Sequence, residues 1–281
     1  MHTTAAAVRA GVTRGLIELR QSFSGAELLG HLFWPVATLV AIFLLRDRRY
    51  GASGFSLGTL VLPGVLGMFA ALGMLLVLQY LSADREDGTL LRAKATPNGI
   101  GGYLIGKLVT VSGTILAYLT IILIPGLLIV DGLAMGDVRS WLTLTWVLLL
   151  GLVATQSIGA MLAALISSPR GASYISLPVM GLIAVSGIFY PIAALTEWLR
   201  WIAQAFPIYW LGLGMRSALL PAGAAGVEIG GSWRHLETAA VLGAWAVAGL
   251  ILAPIVLRRM ARRESGSSLA QRRERALQRV G

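Results

Sequence analysis

Cysteine is absent from this 281-residue chain, and charge is scarce: only 13% of its residues are Asp, Glu, Lys or Arg. Without thiols there is no disulfide, no thiolate metal site and no cysteine nucleophile. Soluble domains carry about 25% charged residues, so this density leaves too little polar surface to cover a globule. Histidine occurs three times, at His2, His31 and His235, far apart along the chain. There is no His-Glu-x-x-His run and no aspartate pair at metal spacing, which argues against hydrolytic and metal chemistry. No basic stripe interleaved with aromatics appears either. The net charge of +10 therefore reads as arginine at membrane flanks rather than as a nucleic-acid surface.

What is plentiful is apolar: hydrophobic residues make up 56% of the chain, with a mean hydropathy of +0.76. A helix crossing lipid needs about 20 mainly apolar residues, because every backbone polar group must be bonded within it. Six segments meet or approach that length: Leu28–Leu45, Leu57–Leu81, Ile100–Val130, Trp141–Ile166, Tyr174–Tyr190 and Leu236–Leu257. The expected fold is an all-α integral membrane protein with six transmembrane helices, forming one domain over residues 1–281. Residues 1–27 would be an interfacial helix, 28–257 the six-span bundle and 258–281 a basic cytoplasmic tail. Arg9, Arg14, Glu18, Arg20 and Glu27 interrupt the first 27 residues, so no cleavable leader is expected.

Within that first segment Val8, Val12, Leu16, Leu19 and Phe23 fall on one helical face, with Arg9, Arg14, Glu18 and Arg20 off it. An amphipathic helix resting in the interface, or packed on a neighbouring subunit, accounts for the pattern equally well. The stretch Pro191–Arg234 holds Trp198, Trp201, Trp210 and Trp233 among Pro191, Pro207 and Pro221. Tryptophan favours the membrane–water boundary and proline interrupts helices, so one or two short re-entrant or outer-side helices are expected there. The tail carries Arg258, Arg259, Arg262, Arg263, Arg272, Arg273, Arg275 and Arg279, with Leu269, Ala276, Leu277 and Val280 as a weak apolar stripe. Placing both termini in the cytoplasm puts sixteen Lys and Arg inside against seven outside, as the positive-inside rule requires. Arg46, Arg48 and Arg49 act against it locally.

Away from the first turns of the spans, where Lys107 and Glu237 lie, the polar residues are few: His31, Gln79, Gln156 and scattered Ser and Thr. An ion-coupled carrier places ionisable groups at mid-bilayer, and none is seen there. His31 reads as a hydrogen-bonded interfacial histidine, and Gln156, beside Thr155 and Ser157, as a bond between helices. Gly64, Gly67, Ala70, Ala71 and Gly73, with Gly151, Gly159 and Ala163, read as sites of close helix approach. Gly101 to Lys107 spells Gly-x-x-x-x-Gly-Lys, but Leu108 stands where a phosphate-binding loop needs Ser or Thr, and no strand precedes it. ATP binding in this chain is not expected.

One loop is dense in charge. After the second segment come Asp84, Arg85, Glu86 and Asp87, then Gly88, Thr89, Leu90, Leu91, Arg92 and Lys94, with Pro97 closing the run. A short helix with acids at its start and bases near its end suits its own dipole, and alternating charge between uncharged spans suits a docking surface. The run Glu86-Asp87-Gly88-Thr89-Leu90 before Thr96-Pro97 resembles the signature of type-2 ABC exporter permeases, the group containing the daunorubicin-resistance permeases. Gly187-Ile188-Phe189-Tyr190-Pro191, then Pro207 and Arg216, is similar to the second half of that pattern.

The resemblance implies a permease subunit without an ATPase site, working as a dimer, most simply a homodimer, with two separate cytosolic ATPase subunits that hold ATP and magnesium. It implies that Asp84, Arg85, Glu86, Asp87, Gly88, Thr89, Leu90, Arg92 and Pro97 form the coupling element. The helix at Val8–Phe23 would match the family's interfacial connecting helix. Pro191, Pro207 and Arg216 would belong to outer-side elements, and Met68, Phe69, Leu72, Leu76, Ile183 and Phe189 would face an apolar translocation cavity. The expected activity is export of an amphipathic or hydrophobic drug, antibiotic or lipid across the plasma membrane. Polysaccharide export, or a carrier or channel not coupled to ATP, are the alternatives.

Overall fold

The computed structural model describes residues 2–48, 56–166 and 169–263, and every regular element among them is a helix. The tail from residue 264 onward, with Leu269, Arg272, Arg273, Arg275, Ala276, Leu277, Arg279 and Val280, lies outside the described residues, as does Arg49. Five helices are long and apolar enough to span a membrane: α2 (Glu27–Leu45), α3 (Leu57–Glu86), α5 (Gly99–Ile129), α6 (Val138–Leu165) and α10 (His235–Arg263). Around them stand α1 (His2–Ser22), α4 (Thr89–Lys94), α7 (Pro169–Val185), α8 (Glu197–Ala205) and α9 (Pro207–Leu219).

The expected fifth span, Tyr174–Tyr190, is displaced toward the N-terminus: α7 starts and ends five residues earlier. α7 has 17 residues, about 25 Å at 1.5 Å per residue, against about 30 Å of hydrocarbon. It stops because Ser186 turns its hydroxyl back onto the Ile183 carbonyl and Gly187 takes φ = 73°, which only glycine adopts without strain. The remaining apolar residues to Tyr190 belong to that turn. Hydropathy reads them as span because it scores side chains and ignores backbone sign.

α3 is the axis of the bundle. In its apolar window 72% of residues are buried, against 11% in the peripheral α2. The Ser56 hydroxyl accepts from the Thr59 amide at 3.1 Å and caps its start. α3 packs on α5, α6, α7 and α9, and small residues set how closely. A Cβ on Gly159 of α6 would lie 2.2 Å from the Met74 carbonyl oxygen of α3, and one on Gly151 would lie 2.5 Å from Leu211 of α9. These contacts lie within one chain, as small-residue packing in lipid predicts. Gln156 donates to the Ser112 hydroxyl of α5 at 2.9 Å, joining two spans as expected. His31 shares a hydrogen bond with the Tyr118 hydroxyl and stacks on Phe23.

Between α7 and α10 the chain forms the two short helices expected there. α9 has twelve buried residues among its thirteen and is wedged against α3, α6 and α10. Trp210 is buried with it, its indole donating to the Gln204 carbonyl at 2.7 Å. That corrects its reading as a boundary residue: the indole nitrogen is satisfied internally. Trp198 and Trp201 of α8 remain exposed.

Candidate functional site at the charged end of the bundle

α3 runs on past its apolar stretch to Glu86, so Asp84 and Glu86 lie in its last turns and not at the start of a short helix. This corrects the dipole argument above: acids at a helix C-terminus are disfavoured and need another partner. Gly88, at φ = 81°, reverses the chain, and the Asp87 carboxylate accepts from the Thr89 amide at 2.7 Å to open α4. Asn98, at φ = 55°, turns the chain into α5. Thr89, Leu90 and Ala93 form the buried underside of α4. The upper side presents Glu86, Asp87, Arg92 and Lys94, followed by Thr96 and Pro97. Arg92 Nη2 donates to the Thr89 hydroxyl at 2.7 Å.

Asp84 and Arg85 do not join that surface. Arg85 donates to the Ile166 carbonyl, capping the end of α6. Asp84 points inward, where its Oδ2 meets Lys107 Nζ at 2.8 Å and accepts from the Tyr103 hydroxyl at 2.8 Å.

Lys107 is the centre of the arrangement. It is one of two lysines in the chain, its side chain is 7% exposed, and it also meets Glu18 Oε2 of α1 at 2.8 Å. Glu18 takes a second ion pair from Arg14 Nε at 2.8 Å. One buried ammonium is thus held by two carboxylates from different elements, α1 and the end of α3, with the Tyr80 and Tyr103 rings beside it. Burial alone pushes the Glu18 carboxyl up, but Lys107 and Arg14 together outweigh it and hold it below the usual carboxylate range. The carboxylate therefore secures α1 at and above the usual carboxylate range, and the hold is lost only as acidification carries the pH through the lowered value.

Below this node α1 lies against α5 backbone to backbone. A Cβ on Gly11 would sit 2.3 Å from the Gly102 carbonyl oxygen, and one on Gly15 would sit 2.5 Å from that of Gly106. Thr110 donates to the Gly15 carbonyl at 3.1 Å. The buried face of α1 is thus Gly11, Gly15 and Ser22, next to the apolar stripe, while Val8 and Leu16 of the stripe stay exposed. Glycine adds nothing to a hydrophobicity pattern, so the packing face was invisible to it. The same geometry disposes of the phosphate-loop spelling: Gly101 to Lys107 is continuous helix, its Gly102 and Gly106 admit α1, and its lysine is in the ion pairs. We expect Gly106→Leu to lift α1 from α5, seen as a rise in protease cleavage within residues 5–22 of the detergent-solubilised protein.

A second polar knot lies among the elements between α7 and α10. Arg216 of α9 is 5% exposed. Its Nη1 donates to the carbonyls of Gly187 and Ile188, each at 3.0 Å, and its Nε meets Glu228 at 2.7 Å. Ile188 in turn fills the notch between Gly67 of α3 and Gly212 of α9. Pro191 precedes a 3-10 turn (Ile192–Ala194), and Pro207 occupies the first turn of α9, where the lack of an amide hydrogen costs nothing.

The six cavity candidates do not share one wall within the chain. Met68, Leu72 and Leu76 lie half-buried along one face of α3, and Phe189 is 40% exposed with its ring against Gly64. Phe69 and Ile183 are buried in the core, Phe69 edge-on to Tyr118. The sequence reading missed Glu18, Lys107 and Glu228. Lys107 could have been found as a lone lysine inside an apolar run, a placement that demands a partner. Among the described residues no cluster suited to a metal ion occurs.

No curated protein matches the chain. A family model described as ABC-2 family transporter protein matches residues 49–255, a region that takes in α3 to most of α10, the α4 turn, Lys107 with Asp84, and the Arg216 knot, but not Glu18 of α1. With five helices long and apolar enough to cross a membrane and most of its length matched, this chain belongs to the ABC-2 transporter family.

Proposed function

We propose that the chain is the permease subunit of an ATP-driven exporter, coupled through α4 to a separate cytosolic ATPase that holds ATP and magnesium. The observation that carries this reading is the contrast at the charged end. Glu86 and Asp87 before α4, Arg92 on it and Pro97 after it are exposed, while the underside of the helix, together with Asp84 and Arg85, is locked into the bundle. Such a helix can be pushed from outside and cannot yield on its own. A groove of about 550 Å³ runs beside it, lined by Ala10 and Arg14 of α1 and by Arg92, Thr96 and Pro97. A protruding element of the ATPase fits there, touching α1 and α4 together.

Because Lys107 ties α1 and the end of α3 to α5, force on this surface enters three helices at once. Two copies of the chain, most simply identical, would face each other across an apolar path, with both termini in the cytoplasm of a plasma membrane. Met68, Leu72, Leu76 and Phe189 would meet cargo, with the buried Phe69 and Ile183 behind them. An apolar wall suits an amphipathic or hydrophobic drug, antibiotic or lipid. For ATP to be used productively, cargo affinity must differ between the inward- and outward-open arrangements. Polysaccharide is the second cargo reading, favoured by the exposed indoles of Trp198 and Trp201, which suit stacking on sugar rings.

The test is charge reversal at the exposed positions. The double variant E86K/R92E should insert normally but abolish stimulation of the co-expressed ATPase in proteoliposomes. Wild-type stimulation in that variant would refute α4 as the coupling element. Alanine at Met68, Leu72 and Leu76 together should lower transport in inverted vesicles roughly tenfold, about 1.4 kcal/mol of cargo binding, while ATPase assembly is kept.

A further inference from the structure

The end of α10 carries a strongly charged patch that the ATPase reading leaves unused. Arg258, Arg259 and Arg262 are all exposed, while Leu257, Met260 and Ala261 on the other side of the same turns are buried. None of the three arginines has a carboxylate partner among the described residues. Their position on the helix is specific. Val247, Ile251 and Ile255, which are 59%, 58% and 43% exposed, form an apolar stripe down α10. At about 100° per residue, Arg258 and Arg262 fall on that same stripe. An exposed apolar face thus continues, without change of direction, into exposed guanidinium groups. α10 also packs against α4.

We infer that this edge of α10 binds an anionic phospholipid, its acyl chains along Val247, Ile251 and Ile255 and its phosphate on Arg258 and Arg262, with Arg259 adding charge. The two halves of the patch match the two halves of such a lipid in order and in azimuth. Guanidinium donors suit phosphate oxygens, and basic residues just beyond a spanning helix draw anionic headgroups. An acidic protein surface would satisfy the arginines but would leave the continuous apolar stripe unexplained. Since α10 packs against α4, the bound headgroup would also set the height at which the coupling helix meets the membrane surface. That last point rests on the exporter reading; the lipid site does not.

The complex of permease and ATPase is reconstituted in nanodiscs of phosphatidylcholine with a minority of spin-labelled phosphatidylglycerol, and the motionally restricted fraction is measured. Wild type should restrict phosphatidylglycerol over phosphatidylcholine, with the preference falling as salt rises. R258Q/R259Q/R262Q should lose affinity on the order of a hundredfold, at about a fivefold loss per arginine. R139Q, at the opposite end of the bundle, should leave it unchanged. Equal restriction in the triple variant overturns the proposal. So does loss of the ATPase from that variant with phosphatidylglycerol restriction intact, which would assign the arginines to a protein partner. The E86K/R92E variant should keep wild-type lipid preference, so failure of the coupling reading and failure of the lipid site are read separately.

Discussion

Replacing Lys107 by methionine should destabilise the protein by about 3–5 kcal/mol, the range for breaking a buried ion pair from one side. Methionine has nearly the length of lysine, so the change removes charge more than volume. It leaves Glu18 and Asp84 facing one another with no cation between them, in a site where the lysine side chain is 7% exposed. Arg14 remains on Glu18, but Asp84 keeps only the Tyr103 hydroxyl. The expected signs are a lowered thermal midpoint in detergent, detachment of α1 from α5 by spin-label distance, and loss of ATPase stimulation.

The triple variant K107M/E18Q/D84N separates charge from packing. Replacing a whole buried ion cluster by neutral groups is often close to neutral for stability, so the triple variant should recover most of the lost midpoint. If K107M melts as the wild type does, Lys107 does not hold the three helices together. If the triple variant recovers stability but not stimulation, the charges have a role in transmission beyond holding the helices in place.

The second large effect is expected at Arg216. Arg216→Leu strands the Glu228 carboxylate and frees the carbonyls of Gly187 and Ile188, all in a buried setting. The ion pair alone is worth about 3–5 kcal/mol when broken from one side, and each unsatisfied carbonyl adds about 1–3 kcal/mol. Arg216→Lys keeps the charge but cannot reach Glu228 and two carbonyls together, because it lacks the guanidinium fork. It should fall between wild type and leucine. The double variant R216L/E228L removes the stranded acid yet leaves the carbonyls unmet, so it should recover only part of the loss. The absence of native cysteine makes the readout direct: a single cysteine introduced as F189C should react faster with a maleimide in the R216L background. Equal labelling rates would mean that the Gly187–Pro191 turn is held by something other than Arg216.

The two knots share a design. Each sets one lysine or arginine in the bundle, neutralises it with carboxylate, and thereby fastens an element that hydropathy does not bind. Lys107 secures α1 through Glu18, and Arg216, paired with Glu228, secures the turn after α7. Spanning helices already have their backbone groups satisfied, so specific polar contacts are left to decide where the irregular pieces lie.

The membrane class, the all-α fold and the positions of the long spans were legible in the sequence, because each depends on local apolar content over about 20 residues. The α4 turn and the pattern around Gly187, Pro207 and Arg216 were legible too, since glycine, proline and charge mark turns locally. Only the tertiary structure decided which way those residues face. It turned Asp84 and Arg85 inward, buried Phe69 and Ile183, ended α7 at Val185, and set α1 on α5 by its glycines together with only part of its apolar stripe. The physical reason is that ion pairs and backbone contacts join residues far apart in the chain. Glu18 and Lys107 are 89 positions apart, and neither residue type signals the other along a linear sequence.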